Sequence, residues 1–195
     1  MINVPDKRMR RTKMLFHEAL LALLQEKNFE AISISEIVRK AGVNRGTFYF
    51  HYQQKEELLE EMVSTMLAKM IAAYRKPHRS YQEMTITEIS TYPLFEHFME
   101  NKLFYQTLLN SSFPINLHER MLQTMEHHYH QDIDFYLPAI SKEMNLDLFC
   151  SYRVHGLIGF ILNWIKNDFD HPIEYMAEQL VKIVTINTQK VYIKR

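Results

Sequence analysis

The chain has 195 residues, 47% of them apolar, with 23 Lys/Arg balanced by 23 Asp/Glu. That length and apolar content provide for one large domain or two small ones with a buried core, and exclude a disordered chain. The single cysteine, Cys150, excludes an intrachain disulfide and a multi-cysteine zinc centre.

Only four glycines occur, Gly42, Gly46, Gly156 and Gly159, and no period-2 runs of β-branched residues. An all-α protein is expected. The neutral total hides a partition. Residues 1–55 carry ten Lys/Arg against five Asp/Glu, whereas residues 56–195 carry thirteen against eighteen. A basic head on an acidic body is what a localised phosphate-binding surface requires. No apolar run approaches the roughly 20 residues that span a bilayer. The opening MINVPDKRMRRTK lacks an apolar stretch behind a small-residue cleavage site. The expectation is a cytoplasmic protein with no membrane partner.

The first helix is expected to be capped near Asp6, with Lys7, Arg8, Arg10, Arg11 and Lys13 crowding its start. Cations are unfavourable there by a few tenths of a kcal/mol, so a phosphate partner is the natural compensation. Phe16, Ala19, Leu20, Leu23 and Leu24 form its core stripe, onto which Phe29 and Ile32 fold back. Ser33-Ile-Ser-Glu36 reads as a capping box opening a short helix to about Lys40, which Gly42 terminates. Asn44 caps a second short helix, Arg45 to about Tyr52. Two short helices on so tight a turn make a helix-turn-helix. At 100° per residue, Arg45, Gly46, Tyr49 and Phe50 share one side of the second helix, and Phe48 and His51 the other. Arg donates two bonds to guanine O6 and N7, and Tyr reaches a phosphate oxygen. Gly46 costs roughly 1 kcal/mol in helix propensity and lets the backbone approach DNA.

At these residues the sequence resembles the TetR family of transcriptional regulators. The stretch ISISEIVRKAGVNRGTFYFHYQQKEELL carries the likeness, through its AGV turn, its GTFY core and the Lys55-Glu-Glu-Leu58-Leu59 entry to the next helix. The likeness covers roughly residues 8–60 and is weak beyond. It implies a homodimeric, all-helical, usually repressing regulator. It also implies that Ser33 and Ser35 lie near backbone or bases. Arg45, Gly46, Thr47 and Phe50 would face the major groove, with Tyr49, His51 and Lys55 as phosphate contacts. The helical wheel puts His51 on the inner side.

In the body, a long helix is expected over about 55–76, then a break at Pro77 and a polar loop or weak helix over 78–92. Further helices follow from Pro93, over Asn101–Leu109, over roughly Leu117–Leu137, and as a final pair over 146–167 and 172–191. The architecture is thus an N-terminal three-helix head (1–54) on a helical body (55–195), about nine helices in all. The helix over 146–167 is expected to be apolar nearly all round. Gly156 and Gly159 inside it cost about 2 kcal/mol together, which close helix packing explains. Gly156, Leu157, Gly159 and Ile161 are the candidate dimer interface in a four-helix bundle. An intra-subunit core helix is the other reading.

Phe98, Phe104, Met121, Met125, Tyr129, Phe160 and Trp164, with Tyr136 beside them, are candidate linings of an adaptable apolar pocket. Singly, ordinary core is the default reading of each. Arg153 suits an anionic ligand or a salt bridge. His127, His128 and His130 with Asp132 and Asp134 are the one cluster of metal-ligating types, and a solvated polar face is its default reading. No nucleophile–base pair or Gly-rich phosphate loop stands out, so no enzyme and no cofactor are expected. The expected function is a homodimeric repressor on a palindromic double-stranded operator, released by a small apolar or aromatic effector. An activator or coactivator controlled by a protein partner, and a metal-dependent enzyme using His127 and His130, are the alternatives.

Overall fold

A computed structural model describes residues 4–76, 91–109, 114–132 and 144–186. Among the described residues the chain is helical throughout. Its helices are α1 (Val4–Leu24), α2 (Ile34–Ala41), α3 (Arg45–His51), α4 (Lys55–Arg75), α5 (Tyr92–Glu100), α6 (Lys102–Leu109), α7 (Leu117–Asp132), α8 (Leu146–Lys166) and α9 (Ile173–Thr185). A 3-10 turn, Phe29–Ala31, precedes α2. The chain divides into two compact units, Met1–Ala68 with Leu103–Met121, and Lys69–Lys102 with Leu122–Arg195.

In the first unit, α1 packs on α2 and α2 on α3. Phe16, Ala19, Leu20, Leu23 and Leu24 are buried, as are Ile37, Val38 and Ala41 of α2 and Phe29 and Ile32 between the two helices. Each of the Phe, Leu, Ile and Val side chains contributes roughly 1.5–3 kcal/mol when fully buried. Phe16 meets Phe48 edge-on at 5.4 Å and Tyr52 at 5.9 Å, which fixes α3 against α1. The capping box forms as read. The Glu36 amide donates to Ser33 Oγ at 3.3 Å, and the Ser33 amide donates to the Glu36 carboxylate at 3.0 Å. Gly42 ends α2 at φ 67°, in the left-handed region that favours glycine. Two details differ from expectation. Helix α1 already starts at Val4, so Asp6 lies inside it. The Phe29–Ala31 segment is a 3-10 turn, where only a fold-back was foreseen.

In the second unit, α5 packs on α9, and Phe95 meets Trp164 edge-on at 5.5 Å. Pro93 sits in the first turn of α5, where its missing N–H costs nothing. Helix α8 departs from expectation. It buries Cys150, Val154, Leu157, Ile158, Ile161, Leu162, Trp164 and Ile165 but exposes Leu148, Tyr152, His155, Gly156, Gly159 and Asn163, so it has two distinct faces. At 21 residues with mean hydropathy 1.2 over its most apolar window, it is long and apolar enough to cross a membrane by length and composition alone. Its packed face accounts for that apolarity. The turn to α9 places Asp168 and Phe169 at φ 56° and 59°, a cost of roughly 1–2 kcal/mol each. The Phe169 amide donates to the Trp164 carbonyl at 2.9 Å, the Phe169 ring meets Trp164 edge-on at 4.7 Å, and Lys102 pairs with Asp168 at 2.7 Å. Helix α9 ends at Thr185, with Ile186 extended, and the rest of the expected helix, 187–191, lies outside the described residues. The expectations for 78–90 and 133–138 lie outside the described residues.

Candidate functional site

Helix α3 is aimed by its cap and its buried back. Asn44 Oδ1 accepts from the Thr47 amide at 2.7 Å and from the Thr47 hydroxyl at 3.0 Å. Phe48 is fully buried, whereas Tyr49 is 48% and Phe50 74% exposed. Arg45 and Gly46 are exposed on the same side. Arg45 Nη2 donates to Tyr49 Oη at 3.2 Å, and its guanidinium lies 5.6 Å from the Tyr49 ring centre. The pair presents a planar cation already oriented by an aromatic side chain, suited to a guanine edge or a phosphate. A Cβ on Gly46 would stand 3.3 Å from Asn44 Oδ1, so glycine also keeps the cap uncrowded.

Other head residues are occupied within the chain. The Ser33 hydroxyl belongs to the capping box and also donates to Glu36 Oε2 at 2.9 Å, while Ser35 is exposed in the first turn of α2. Lys27 and Ser33 hold the Glu36 carboxyl down at about 2, below the usual carboxylate range. His51 is half-buried against Phe16 at 6.2 Å, and desolvation followed by Lys13 lowers its pKa. Lys55 departs from the phosphate role that the resemblance implies. Its ammonium donates to the carbonyls of Phe29, Glu30 and Ile32 at 2.8, 3.2 and 2.9 Å. An ammonium has three N–H donors, and these three bonds use them. Lys13 and Lys40 are paired with Glu61 and Glu26, whereas Arg8, Arg11, Arg39 and Arg45 are exposed without an acidic partner among the described residues.

A groove of about 290 Å³ lies in the second unit. Tyr152, Arg153, Gly156, Leu157 and Phe160 form one wall at helical spacing along α8. Leu180, Val181, Ile183, Val184 and Ile186 form the opposite wall, and Tyr74, Thr91 and Tyr129 complete it. The Tyr74 and Tyr129 hydroxyls are 2.9 Å apart. Burial pushes both phenols up, while Arg153 pulls them back. Of the seven pocket candidates only Tyr129 and Phe160 line this groove. Phe98, Phe104, Met121, Met125 and Trp164 are each at most 2% exposed and fill core instead. Phe104 and Met121 belong to the other unit.

The candidate dimer residues separate too. Gly156 and Gly159 are exposed, but Leu157 is 6% and Ile161 0% exposed within the chain itself. Among the described residues no group of three or more His, Cys, Asp or Glu is placed to hold a metal. His127 and His130 are exposed, and His128 is buried edge-on to Tyr74 at 5.5 Å. Asp134 and Tyr136 lie outside the described residues.

Two family models match. "Bacterial regulatory proteins, tetR family" covers residues 17–62, and "Transcriptional regulator C-terminal region", a TetR C-terminal model, covers residues 86–186, more than half the chain. The chain belongs to the TetR family. TetR-family regulators bind DNA and typically act as dimers. The uncharacterised HTH-type regulator YxbF of Bacillus subtilis (strain 168) is 28% identical over 95% of this chain and 48% of its own length. DhaS of Lactococcus lactis, an HTH-type dhaKLM operon transcriptional activator, is 28% identical over 50% of this chain and 48% of its own length. The chain thus spans about half the length of these curated relatives in the matched regions. Among solved structures, the dihydroxyacetone kinase operon activator DhaS aligns at TM-score 0.60 and 21% identity over 89% of this chain and 93% of its own. A TetR regulator from Streptococcus agalactiae 2603V aligns at TM-score 0.57 and 22% identity over 93% and 97%. Both likenesses concern the fold.

In this TetR-family chain the helix-turn-helix was readable because caps and turn are local. Most of the groove was missed: Tyr74, Thr91, Tyr152 and the α9 residues come from separate elements. The available signal was Tyr152, Gly156 and Phe160 recurring every four residues beside Arg153.

Proposed function

We propose that this chain is a sequence-specific DNA-binding transcriptional regulator, acting as a homodimeric repressor that a small molecule releases from its operator. The observation that carries the reading is the exposed Arg45–Tyr49 pair on a capped helix whose other face is buried. Residues 1–54 are the reader and 55–195 the sensing and dimerising body. Arg45, Gly46, Thr47, Tyr49 and Phe50 face DNA, and the unpaired arginines Arg8, Arg11 and Arg39 supply phosphate contacts. Two heads meet half-sites about one DNA turn apart. The exposed face of α8, with Gly156 and Gly159, meets the second copy. An effector bound in the body favours a body conformation that spaces the heads wrongly. The protein is a cytoplasmic non-enzyme in this reading.

A second reading is an activator, favoured by DhaS, named an operon activator, as both a sequence relative and a structural neighbour. Selection of bound DNA from a random pool, using the full chain, tests the proposal. A palindrome is expected, with binding that weakens steeply with salt. Arg45→Ala and Tyr49→Phe each weaken it. Binding that shows no sequence preference overturns the proposal. A reporter behind the selected site then separates repressor from activator by the sign of the response.

A further inference from the structure

Phe50 is 74% exposed, on the same side of α3 as Arg45, Gly46 and Tyr49. Its ring rests edge-on against His51 at 5.0 Å. Its neighbours on this face have their polar atoms engaged. Tyr49 Oη accepts from Arg45, and the Thr47 hydroxyl donates to the Asn44 cap. Gly46 lies one turn before Phe50, and long side chains on a helix lean towards its N-terminus. The ring therefore leans over a position with no side chain to obstruct it.

A phenyl ring has no polar group to offer. Set against a phosphate or the polar edge of a base, it strips water from groups it cannot satisfy. In the major groove G·C pairs present only polar groups, and the one apolar group on any pair is the thymine C5-methyl. Contacts from the exposed arginines to phosphate fix the register but carry no sequence information. We propose that Phe50 reads a thymine in each half-site by covering its C5-methyl group, beside the guanine that Arg45 reads. The inference rests on α3 being the DNA reader, and adds the identity of one base pair. Five residues of helix separate the two readers, about 7.5 Å at 1.5 Å per residue. That is about two base-pair steps of 3.4 Å, so the thymine falls within about three base pairs of the guanine.

The test takes the operator duplex selected by the full chain and replaces each thymine in turn, at both symmetry-related positions, with uracil, which lacks only the methyl. Affinity is measured at one fixed salt concentration. Burying one such carbon is worth about fourfold in affinity, so about fifteenfold over two half-sites. One thymine position is expected to show this loss. Phe50→Ala, which removes an exposed ring, binds the thymine and uracil duplexes equally, and Phe50→Leu keeps part of the preference. At the same position 5-methylcytosine is bound more tightly than cytosine by a similar factor. Uracil tolerated at every position by the unaltered protein overturns the proposal, as does a methyl effect that survives in Phe50→Ala. A ring wedged between base steps gives the first of these results, because stacking does not depend on the methyl. The two readings fail separately. A chain that selects no preferred sequence overturns both, whereas a selected site indifferent to uracil leaves the reader in place and removes the thymine contact alone.

Discussion

The Lys55 ammonium donates to the Phe29 carbonyl at 2.8 Å, with the carbonyls of Glu30 and Ile32 as its other acceptors. A cation at the first residue of a helix opposes the helix dipole. Here three carbonyls and the Phe29 ring, 4.5 Å from the ammonium, offset that and tie the start of α4 to the 3-10 turn before α2. Lys55→Met is expected to lower stability by about 2–3 kcal/mol, read by urea denaturation. The salt dependence of DNA binding then decides its role. If Lys55 neutralised a phosphate, its removal would reduce the log–log slope by about 1. We expect the slope to stay unchanged, and a reduced slope would restore the phosphate role.

Gly46 and Asn44 form a second coupled pair. Asn44→Ala removes the acceptor for the Thr47 amide and is expected to cost about 1 kcal/mol. Gly46→Ala gains up to about 1 kcal/mol in helix propensity but puts a Cβ 3.3 Å from Asn44 Oδ1. The two effects nearly cancel, and a midpoint shift equivalent to under about 0.5 kcal/mol is expected. A Gly46→Ala protein of unchanged stability whose operator affinity falls by more than about tenfold reports close backbone approach to DNA. Unchanged affinity leaves glycine with the cap alone.

How legible the chain was depends on the range over which each feature is encoded. The capping box, Gly42 and Asn44 act within four residues of themselves, so residue type and spacing were enough to read them. The burial of Phe48 behind Tyr49 and Phe50 followed from one helical wheel. Lys55 could not be read so, because its acceptors lie 23 to 26 residues away. The pocket candidates failed for a different reason. Large apolar side chains fill core and line cavities equally well, so type alone cannot tell Trp164, 1% exposed, from Phe160. Helix α8 looked apolar all round because glycines and tyrosine count as neutral or apolar, yet Tyr152 is 79% exposed.

His97 and Glu36, both with depressed pKa values, contribute acid sensitivity in separate windows. Burial, then the Lys69 charge, lowers His97 from 6.5 to about 4. The unfolded chain therefore takes up that proton first, and stability falls as pH drops from about 6.5 towards 4, by up to about 3 kcal/mol. Glu36, lowered from 4.5 to about 2 by Lys27 and Ser33, contributes stability that is full above about 4.5 and lost as pH falls towards 2. Denaturation midpoints across pH 7 to 3 are expected to lose the upper window in His97→Leu and the lower one in Glu36→Gln. Both windows persisting in His97→Leu would assign the upper one to another group.

Gly156 and Gly159 offer the cleanest test of the dimer. Apart from chain neighbours and the backbone of α8 itself, neither has an atom within 4 Å of where a Cβ would stand. In an isolated subunit, alanine at each should therefore raise stability by about 1 kcal/mol through helix propensity. If this face of α8 packs closely on a second copy, the same methyl groups force the helices apart. The Gly156→Ala, Gly159→Ala double variant is expected to shift sedimentation towards monomer while its subunits become harder to unfold. Ile161→Glu is a poor probe, because Ile161 is 0% exposed and a buried charge would unfold the subunit. Tyr152→Glu, at a position 79% exposed, has no such defect. It should give monomer with its helical circular dichroism intact. A dimer that survives both variants removes this face of α8 from the interface.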